Sequence, residues 1–388
     1  MAATIFNARS LQEVSRSDII KRRDPSGAPL AIAEVLAQKN EWILDAPSIE
    51  GTGDSTHTIA LRTALPKVYF KKFNYGVPAS KSDVARFQEA CGMIEARSIV
   101  DSQMLKLHGN PQEFRAGEDK AFIEAMGQHM ARQIFYGQQI SGQESFTGLA
   151  PRYATFDLEE SPSAYNVIDG GLGEDLSEKT DLTSVWVIAW GDNVGTFYPK
   201  NSAAGLEMID LGEDTVYDEY HHPYQAYQTI FRWSCGLYVK NWRYVARICN
   251  ISLGDLRSGV GIGNADLRTP GTSNLIMLIN EALMKIPSNS EKFAICMNSA
   301  CLAGLNILDN RQNYGIINTH EHENTWGEHG FFTTFDHIPL RRVDQISARE
   351  EWIDNSVLTS SSSSSTDTDT EEETAEAETD SSTTDTTE

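Results

Sequence analysis

The longest regular hydrophobic pattern in the chain predicts one amphipathic helix over Pro111–Tyr136. Its apolar residues recur at steps of three and four, the spacing of one helix face. These residues are Phe114, Phe122, Ala125, Met126, Met130 and Ile134. At about 1.5 Å per residue the helix is roughly 39 Å long, well above the average. Gly117 and Gly127 predict local weakening and a bend.

Residues suited to helix ends flank this pattern. Asn110 is a favoured N-cap, and Pro111 fits the first helical position, where a missing N–H costs nothing. Gly137 follows the last apolar residues and predicts a left-handed C-cap.

An extended run from Leu61 to Tyr75 precedes the helix. It predicts the arm of a hairpin from about Ser55 to Ile99, with Gly76-Val-Pro78 as a turn. Strict alternation gives the run mixed faces, with Tyr69, Lys71 and Phe73 on one side and Phe70 and Lys72 on the other. Such faces favour a hairpin that projects from the body, and an arm followed by a stiff rod is typical of a protein that grips its neighbours.

Two patterns in the middle of the chain predict strands. Val185–Trp190 is continuously apolar, as in a strand covered on both faces. Apolar residues then alternate from Phe231 to Val239, and the phase shifts by one residue afterwards. This shift predicts a bulge or tight turn near Lys240-Asn241.

Further elements are predicted near the C-terminus. Asn274–Ile286 and Asn298–Leu308 have helical patterns, the first ended by Pro287. Strands at 331–335 and 338–343 flank Asp336-His337, which predicts a hairpin with a positive φ at His337. Pro339 predicts that the second of these strands lies at a sheet edge.

Both termini differ in composition from the rest of the chain. Residues 1–50 predict a locally basic arm and a short helix, broken by the turn-forming segment 24–29. From Ser356 onward the chain is mainly serine, threonine, aspartate and glutamate, too polar to offset the entropy of ordering, which predicts a disordered tail. We expect this tail to stay solvated and to discourage premature aggregation.

Charge and cysteine content narrow the class of protein. The 388 residues carry a formal net charge of −23, and the acidic balance argues against a protein whose main task is binding nucleic acid. An odd count of five cysteines favours a reducing compartment. The Cys296/Cys301 spacing does not fit a zinc site and predicts two small apolar residues on a helix. The N-terminus lacks a signal-peptide pattern, and no apolar run reaches membrane-spanning length.

Motifs for catalysis are scarce. The chain has no nucleophile elbow, Walker loop or zincin helix, and Gly259-Val-Gly261-Ile-Gly263 does not open a βαβ unit. The segment 319–329 carries possible metal ligands, and we favour an exposed loop over a metal site there. Its candidate ligands are His320, Glu321, His322, Glu323, Glu328 and His329.

An ordered set of segments resembles the major capsid proteins of short-tailed, podovirus-type tailed bacteriophages, a branch of the Hong Kong 97-type fold. The resemblance covers about residues 1–350. The segments that carry it are Leu61–Pro66, Asn74–Lys81, Glu118–Met126, Phe135–Gly137, Phe146–Tyr153, Trp190-Gly191, Tyr198–Lys200, Trp242–Ile248 and Phe335–Asp344.

This resemblance implies an α+β Hong Kong 97-type capsid fold. It divides the chain into an N-terminal arm (1–50), an extended E-loop hairpin (51–100), the spine helix of a peripheral domain (101–150), and an axial domain interleaved with peripheral strands (151–355). The disordered acidic tail (356–388) and the histidine segment have no counterpart in the family that we can place.

The implied function is self-assembly into hexamers and pentamers of an icosahedral shell around double-stranded DNA. The implied partners are identical subunits, portal, scaffold and decoration proteins, with no sequence-specific DNA binding and no membrane. The implied location is the virion capsid, after synthesis in the host cytoplasm. Alternatives are an encapsulin-like shell protein and a metal-dependent enzyme using His320–His329.

For the implied function we expect no catalytic residue, cofactor or metal. We expect the hairpin to supply subunit contacts, and its lysines to lie near acidic groups of an adjacent subunit. The residues predicted to make these contacts are Lys67, Lys71, Lys72, Phe73 and Tyr75.

Overall fold

The computed structural model has a mixed α+β fold and describes residues 38, 40–108, 111–139, 145–217, 220–258, 275–287, 292–312, 315–323 and 329–356. Its helices are α1 Ser102–His108, α2 Pro111–Tyr136, α3 Leu253–Ser258, α4 Leu275–Lys285 and α5 Ser299–Gln312. Its strands are β1 Ser48–Glu50, β2 Thr56–Ala64, β3 Asp83–Ala90, β4 Gly92–Asp101, β5 Val167–Asp169, β6 Leu182–Trp190, β7 Val194–Tyr198, β8 Leu206–Tyr217, β9 Pro223–Val239, β10 Val245–Ser252, β11 Lys292–Met297, β12 Ile317–Glu323, β13 His329–Phe335 and β14 Ile338–Arg342.

Four sequence predictions fall outside the described residues. They concern most of the basic arm, the cap at Asn110, the glycine loop at 259–263 and almost all of the acidic tail. Among the described helices, none combines the length and hydrophobicity needed to cross a lipid bilayer.

The strands form two main sheets and a separate hairpin. A seven-stranded sheet has the order β12-β13-β14-β11-β6-β10-β5. A five-stranded sheet has the order β1-β7-β9-β4, with β8 also paired to β9, while β2 and β3 pair only with each other. Every residue of β6 is buried, which confirms the prediction from its continuous apolar run.

The long helix α2 joins the two main sheets. Its first half packs on β9, where Phe122 and Phe231 stack with ring centroids 5.6 Å apart. Its second half packs on β6, where Phe135 lies 6.1 Å from Trp186. The predicted bounds are confirmed, and the helix continues through both internal glycines.

The predicted apolar stripe is wrong at one position, because Ala125 is exposed. Successive i+4 steps rotate the buried face along a 3.6-residue helix. By its second half, that face includes Ala131 and Phe135, which are both fully buried.

The end of α2 also differs from the prediction. Gly137 lacks a left-handed φ, and its N–H donates to the carbonyl of Gln133 at 2.9 Å. The segment that follows satisfies the helix end, because Leu149 N donates to Ile134 O and Gly148 N to Gly137 O, both at 2.9 Å. A Cβ on Gly148 would lie 2.6 Å from Gln133 O and 2.7 Å from Ile134 O, so only glycine fits.

The shift in apolar phase after Val239 marks the predicted turn. Strand β9 ends there, and a 3₁₀ turn at Trp242–Tyr244 separates it from β10. Near the C-terminus, α4 lies close to its predicted bounds, whereas α5 continues past the predicted Leu308 to Gln312.

The β13–β14 hairpin confirms one prediction and corrects another. Asp336 and His337 have φ values of 44° and 70°, as a type I′ turn requires. Strand β14 is not an edge, because β13 and β11 flank it. Proline is tolerated because pairing with β11 begins only at Leu340, one residue after Pro339. On the β13 side, Phe335 and Ile338 close the turn, and Pro339 faces Thr334 in the next pair. In an antiparallel ladder that next pair is a non-hydrogen-bonded one, so Pro339 needs no N–H there.

Two smaller predictions are corrected. The described part of the histidine segment is not a loop, because Ile317–Glu323 and His329–Phe335 pair as antiparallel strands. Of the two cysteines predicted on a helix, Cys296 lies in β11 and only Cys301 in α5. Both are free and buried, as small apolar residues would be.

The segment after β14 is fastened to the body by a buried ion pair. Glu350 accepts hydrogen bonds from Arg247 Nη2 at 2.8 Å, from Ser184 and from Tyr136. The Arg247 and Glu350 side chains are only 6% and 7% exposed. Removing one partner from such a pair leaves an uncompensated buried charge.

We therefore expect Glu350→Ala to lower the free energy of unfolding of the isolated subunit by about 3–5 kcal/mol. The neighbouring Glu351 is exposed, and Glu351→Ala is the matched control, with an expected change within about 0.5 kcal/mol. Chemical denaturation of both variants measures the difference. Equal stability of the two variants would show that the buried pair does not fasten this segment.

Candidate functional site

The predicted contact residues lie on a two-stranded ribbon, which we define as residues 56–90. Its strands pair from Thr56 opposite Ala90 to Ala64 opposite Asp83, with a register shift after Arg62. The region between the strands, residues 65–82, is the ribbon tip.

The structure corrects the extent of the strands. The prediction carried the first strand to Tyr75, but β2 ends at Ala64. Pro66 lacks the N–H that a paired strand donates, which disfavours further pairing. The predicted alternation of faces from Tyr69 to Phe73 therefore does not apply to this irregular segment.

All five predicted contact residues lie in the tip and are exposed. Phe73 is 97% and Tyr75 70% exposed, and Lys67, Lys71 and Lys72 accompany them on the same segment. The structure thus places these five residues together on one protruding element.

Sequence reasoning missed several apolar residues of the ribbon. Phe70 is fully exposed and Val68 is 90% exposed. Three further large apolar side chains of the ribbon are at least half exposed: Leu65, Val84 and Phe87. The signal that could have found them was the density of apolar residues between lysines. Assuming an alternating strand divided these residues between two faces, whereas they form one exposed surface.

The ribbon tip is positively charged on a negative protein. Residues 65–82 contain four lysines, with no aspartate or glutamate, in a chain of formal net charge −23. Lys81 pairs with Asp83 at 3.2 Å. Lys71 and Lys72 lie between Phe70 and Phe73 in the chain, and all four side chains are exposed, so the surface combines apolar area with positive charge.

Arg152 fastens the base of the ribbon to the body. Its Nη1 and Nη2 atoms donate to the two carboxylate oxygens of Glu89 on β3, at 2.6 and 2.7 Å. The same guanidinium donates to the carbonyls of Gly148 and Thr147, at 3.1 and 3.0 Å. Because those residues adjoin the end of α2, one side chain connects the ribbon to the helix. No pattern in the sequence indicates this pairing, which spans 63 positions.

A small aromatic cluster supports the other strand of the ribbon. His57 of β2 is 6% exposed, and its ring centroid lies 5.3 Å from that of Phe197 and 5.4 Å from that of Tyr238. Its Nδ1 is buried without a hydrogen-bond partner among the described residues. Burial lowers the pKa of His57, the nearby Lys240 lowers it further, and Glu89 partly opposes both effects. The ring is therefore held neutral at the ribbon base.

This environment predicts a loss of stability on acidification. Because the folded pKa lies below the unfolded value of about 6.5, the unfolded chain binds more protons in that range. The contribution of neutral His57 to the free energy of unfolding is complete above about pH 6.5 and is lost as the pH falls towards the folded pKa. We expect the isolated wild-type subunit to lose more thermal stability between about pH 7.5 and 5.5 than His57→Phe. Parallel pH dependences of the two melting temperatures would contradict this account.

The candidate metal ligands occupy the outer strands of the seven-stranded sheet. In the register of β12 and β13, His322 faces Gly330 and Glu323 faces His329, while His320 faces Phe332. Glu328 lies outside the described residues. The backbone therefore places His320 and His322 on one strand face and the His329 position opposite Glu323.

Comparison with known proteins identifies the relatives of this architecture. The family model described as "Major capsid protein GP7" matches residues 24–354. No curated protein matches the chain significantly.

Among solved structures, a chain from bacteriophage Epsilon15 matches with a TM-score of 0.67 and 25% identity, covering 91% of this chain and 99% of that one. The capsid of bacteriophage JBD30 matches with a TM-score of 0.45 and 9% identity, over 81% and 93% of the two chains. The SrpI encapsulin of Synechococcus elongatus PCC 7942 matches with a TM-score of 0.39 and 10% identity, over 58% and 92%. The last two likenesses are too distant to support an argument about function.

Proposed function

Because the chain belongs to the major capsid protein GP7 family, we propose that its ribbon joins identical subunits into hexamers and pentamers. The protein forms the icosahedral shell of a tailed phage, with a Hong Kong 97-like fold. It is a structural component of the virion capsid and not an enzyme. The enzyme alternative based on His320–His329 is therefore wrong.

The exposed apolar surface of the ribbon tip is the observation that supports this proposal. Phe70 and Phe73 are 108% and 97% exposed, and full burial of such a side chain contributes about 1.5–3 kcal/mol. Large exposed apolar patches mark interaction sites on soluble proteins. A surface that stays in water on the isolated subunit gains this energy only by contact with another molecule.

The charge of the tip favours another copy of this chain as the partner. Four lysines without an acid make the tip complementary to a protein whose formal net charge is −23. Complementary charges guide association and fix its orientation. A contact repeated around a closed ring then builds a symmetric assembly, since each subunit both offers and receives a ribbon.

The finer assignments of the resemblance extend this proposal. We assign the ribbon to the E-loop, α2 to the spine of the peripheral domain, and the strands and helices after residue 150 to the axial domain with interleaved peripheral strands. The shell is of the podovirus type and encloses double-stranded DNA without reading its sequence. Portal, scaffold and decoration proteins complete the set of proposed partners, and the acidic body limits non-specific adhesion to the genome.

Charge reversal in the tip tests the proposal. We expect Lys71→Glu with Lys72→Glu to lower the yield of shells at least tenfold, because a loss of about 1.4 kcal/mol already weakens each repeated contact tenfold. Electron microscopy of expressed protein measures shells with hexamer and pentamer lattices, and circular dichroism checks that the subunit folds.

The matched control reverses two exposed lysines elsewhere, Lys106→Glu with Lys292→Glu. It changes the net charge equally and should leave the shell yield close to that of the wild type. Normal shells from the tip variant, or equal losses from both variants, would reject a specific role for the ribbon tip.

A further inference from the structure

A glycine in α2 occupies a position that the described part of the subunit does not explain. Gly127 lies one turn before Ala131, which is fully buried, and one turn after Ile123, which is 42% exposed, so it is at the edge of the core-facing side of the helix. A Cβ built at Gly127 meets no atom within 4 Å. Glycine destabilises a helix interior relative to alanine. Gly117 has equally open space, so the space at Gly127 permits another group to approach, and only its place in a groove sets Gly127 apart.

An apolar groove lies over this glycine, between α2 and the start of β8. Its cavity volume is about 370 Å³, and its lining includes Trp42, Ile43, Ile123, Gly127, Leu206 and Trp233. A second cavity of about 200 Å³ continues along Trp42 and Trp233. The larger volume falls within the range of sites that enclose small organic ligands, so an aromatic side chain fits.

The rim of the groove is polar and includes one unsatisfied atom. Asn40 lines the groove, and its Oδ1 is buried without a hydrogen-bond partner among the described residues. Such an acceptor favours an occupant that brings an N–H donor. A backbone amide of an incoming chain supplies that donor.

Acidic groups flank the groove along α2. Glu124 lines it and accepts hydrogen bonds from Gln38 N and Gln128 Nε2, both at 2.8 Å. Asp119 lies one turn before Ile123 on the same side of the helix. Burial raises the pKa of Asp119, Arg115 opposes this effect, and Asp210 and Glu118 raise the pKa further. A further cation arriving beside Asp119 would offset part of the cost of burying its charge.

We propose that this groove receives Phe70 or Phe73 from the ribbon tip of a second copy of the chain. The tip matches the groove in each respect: exposed aromatic rings for the apolar lining, backbone amides for Asn40, and Lys71 and Lys72 for Glu124 and Asp119. The inference rests on the proposed function, because it names the surface that the ribbon contacts. Gly127 is then a contact residue whose missing side chain admits the ring.

Disulfide trapping tests the pairing directly. Two double variants join the groove to the tip: Gly127→Cys with Phe70→Cys, and Gly127→Cys with Phe73→Cys. A disulfide requires Cα atoms within about 7 Å of each other. The matched controls replace Gly127→Cys by Gly117→Cys, which is on the same helix, also has no atom within 4 Å of a built Cβ, and does not line the groove.

The native cysteines should not interfere with this experiment. All five are buried, and none of them forms a disulfide. Burial raises the pKa of Cys235, Cys249 and Cys301 to about 12 and also raises that of Cys296, so these thiols are not nucleophilic thiolates at neutral pH.

After oxidation of assembled shells, we expect a ladder of covalent multimers on a denaturing gel from at least one Gly127 pair and from neither control. Shells without a ladder from either Gly127 pair would overturn the docking inference, because the groove would then hold another occupant, such as the residues that precede Gln38. A cross-link within single chains would overturn it as well. If the wild type forms no shells, the proposed function itself fails.

If the double-cysteine variants do not assemble into shells, a variant that fills the groove tests the docking proposal instead. We expect Gly127→Leu to lower the shell yield about tenfold relative to Gly117→Leu. Both isolated subunits should melt at or above the wild-type temperature, because leucine favours the helix more than glycine does. Equal shell yields from the two leucine variants would overturn the proposal.

Discussion

The guanidinium of Arg152 is the contact on which the arrangement of ribbon and helix depends. It donates to two carbonyls of the segment that wraps the end of α2 and to both carboxylate oxygens of Glu89 on the ribbon. A bidentate pair with a carboxylate restricts geometry as well as supplying energy. The direction of the ribbon is therefore set by the helix that joins the two main sheets, and the aromatic cluster around His57 supports the second strand.

Fixing the base of the ribbon lowers the entropic cost of binding through its exposed tip. Ordering a flexible arm on contact costs conformational entropy, and an arm that is already oriented avoids part of that cost. The tip leaves apolar rings in water on the isolated subunit, and under the proposed function a shell recovers their burial at every repeated contact. In the proposed assembly, many repeated contacts together make a stable container even where a single pair of subunits associates weakly. Gly127 also lowers the stability of the isolated subunit, because glycine weakens a helix. In our proposal, the space that it leaves receives a side chain of a neighbouring subunit.

Strong local patterns made part of the fold predictable from the sequence. The 26-residue helix was predicted with its bounds because periodicity and Pro111 agreed. The strand around Val185–Trp190 and the turn at Asp336-His337 followed from a continuous apolar run and from residue types that tolerate positive φ. Local rules failed where tertiary contacts decide the outcome. Gly137 was expected to have a left-handed φ, yet the segment around Gly148 satisfies the helix end instead. Pro339 lies in an interior strand because no neighbouring strand needs an N–H at that position.

The candidate site was predictable in location but not in mechanism. Lysines and aromatic residues between Leu61 and Tyr75 marked the segment that we propose makes the contact, although the paired strand ends before Pro66 and the predicted faces do not apply there. The pairing of Arg152 with Glu89 joins residues far apart in sequence, and no spacing rule indicates it. The groove over Gly127 is likewise a property of four elements brought together by the fold: the 3₁₀ turn Glu41–Leu44, α2, β8 and β9.

Hydrogen exchange, compared between free subunits and intact shells, tests the central claim most directly. If the ribbon is held at its base and completed by a neighbour, backbone amides from Val68 to Tyr75 exchange rapidly in the free subunit and become protected in the shell, while the strands near Glu89 are protected in both. Protection of the tip already in the free subunit, or rapid exchange of the tip in the shell, would contradict the account.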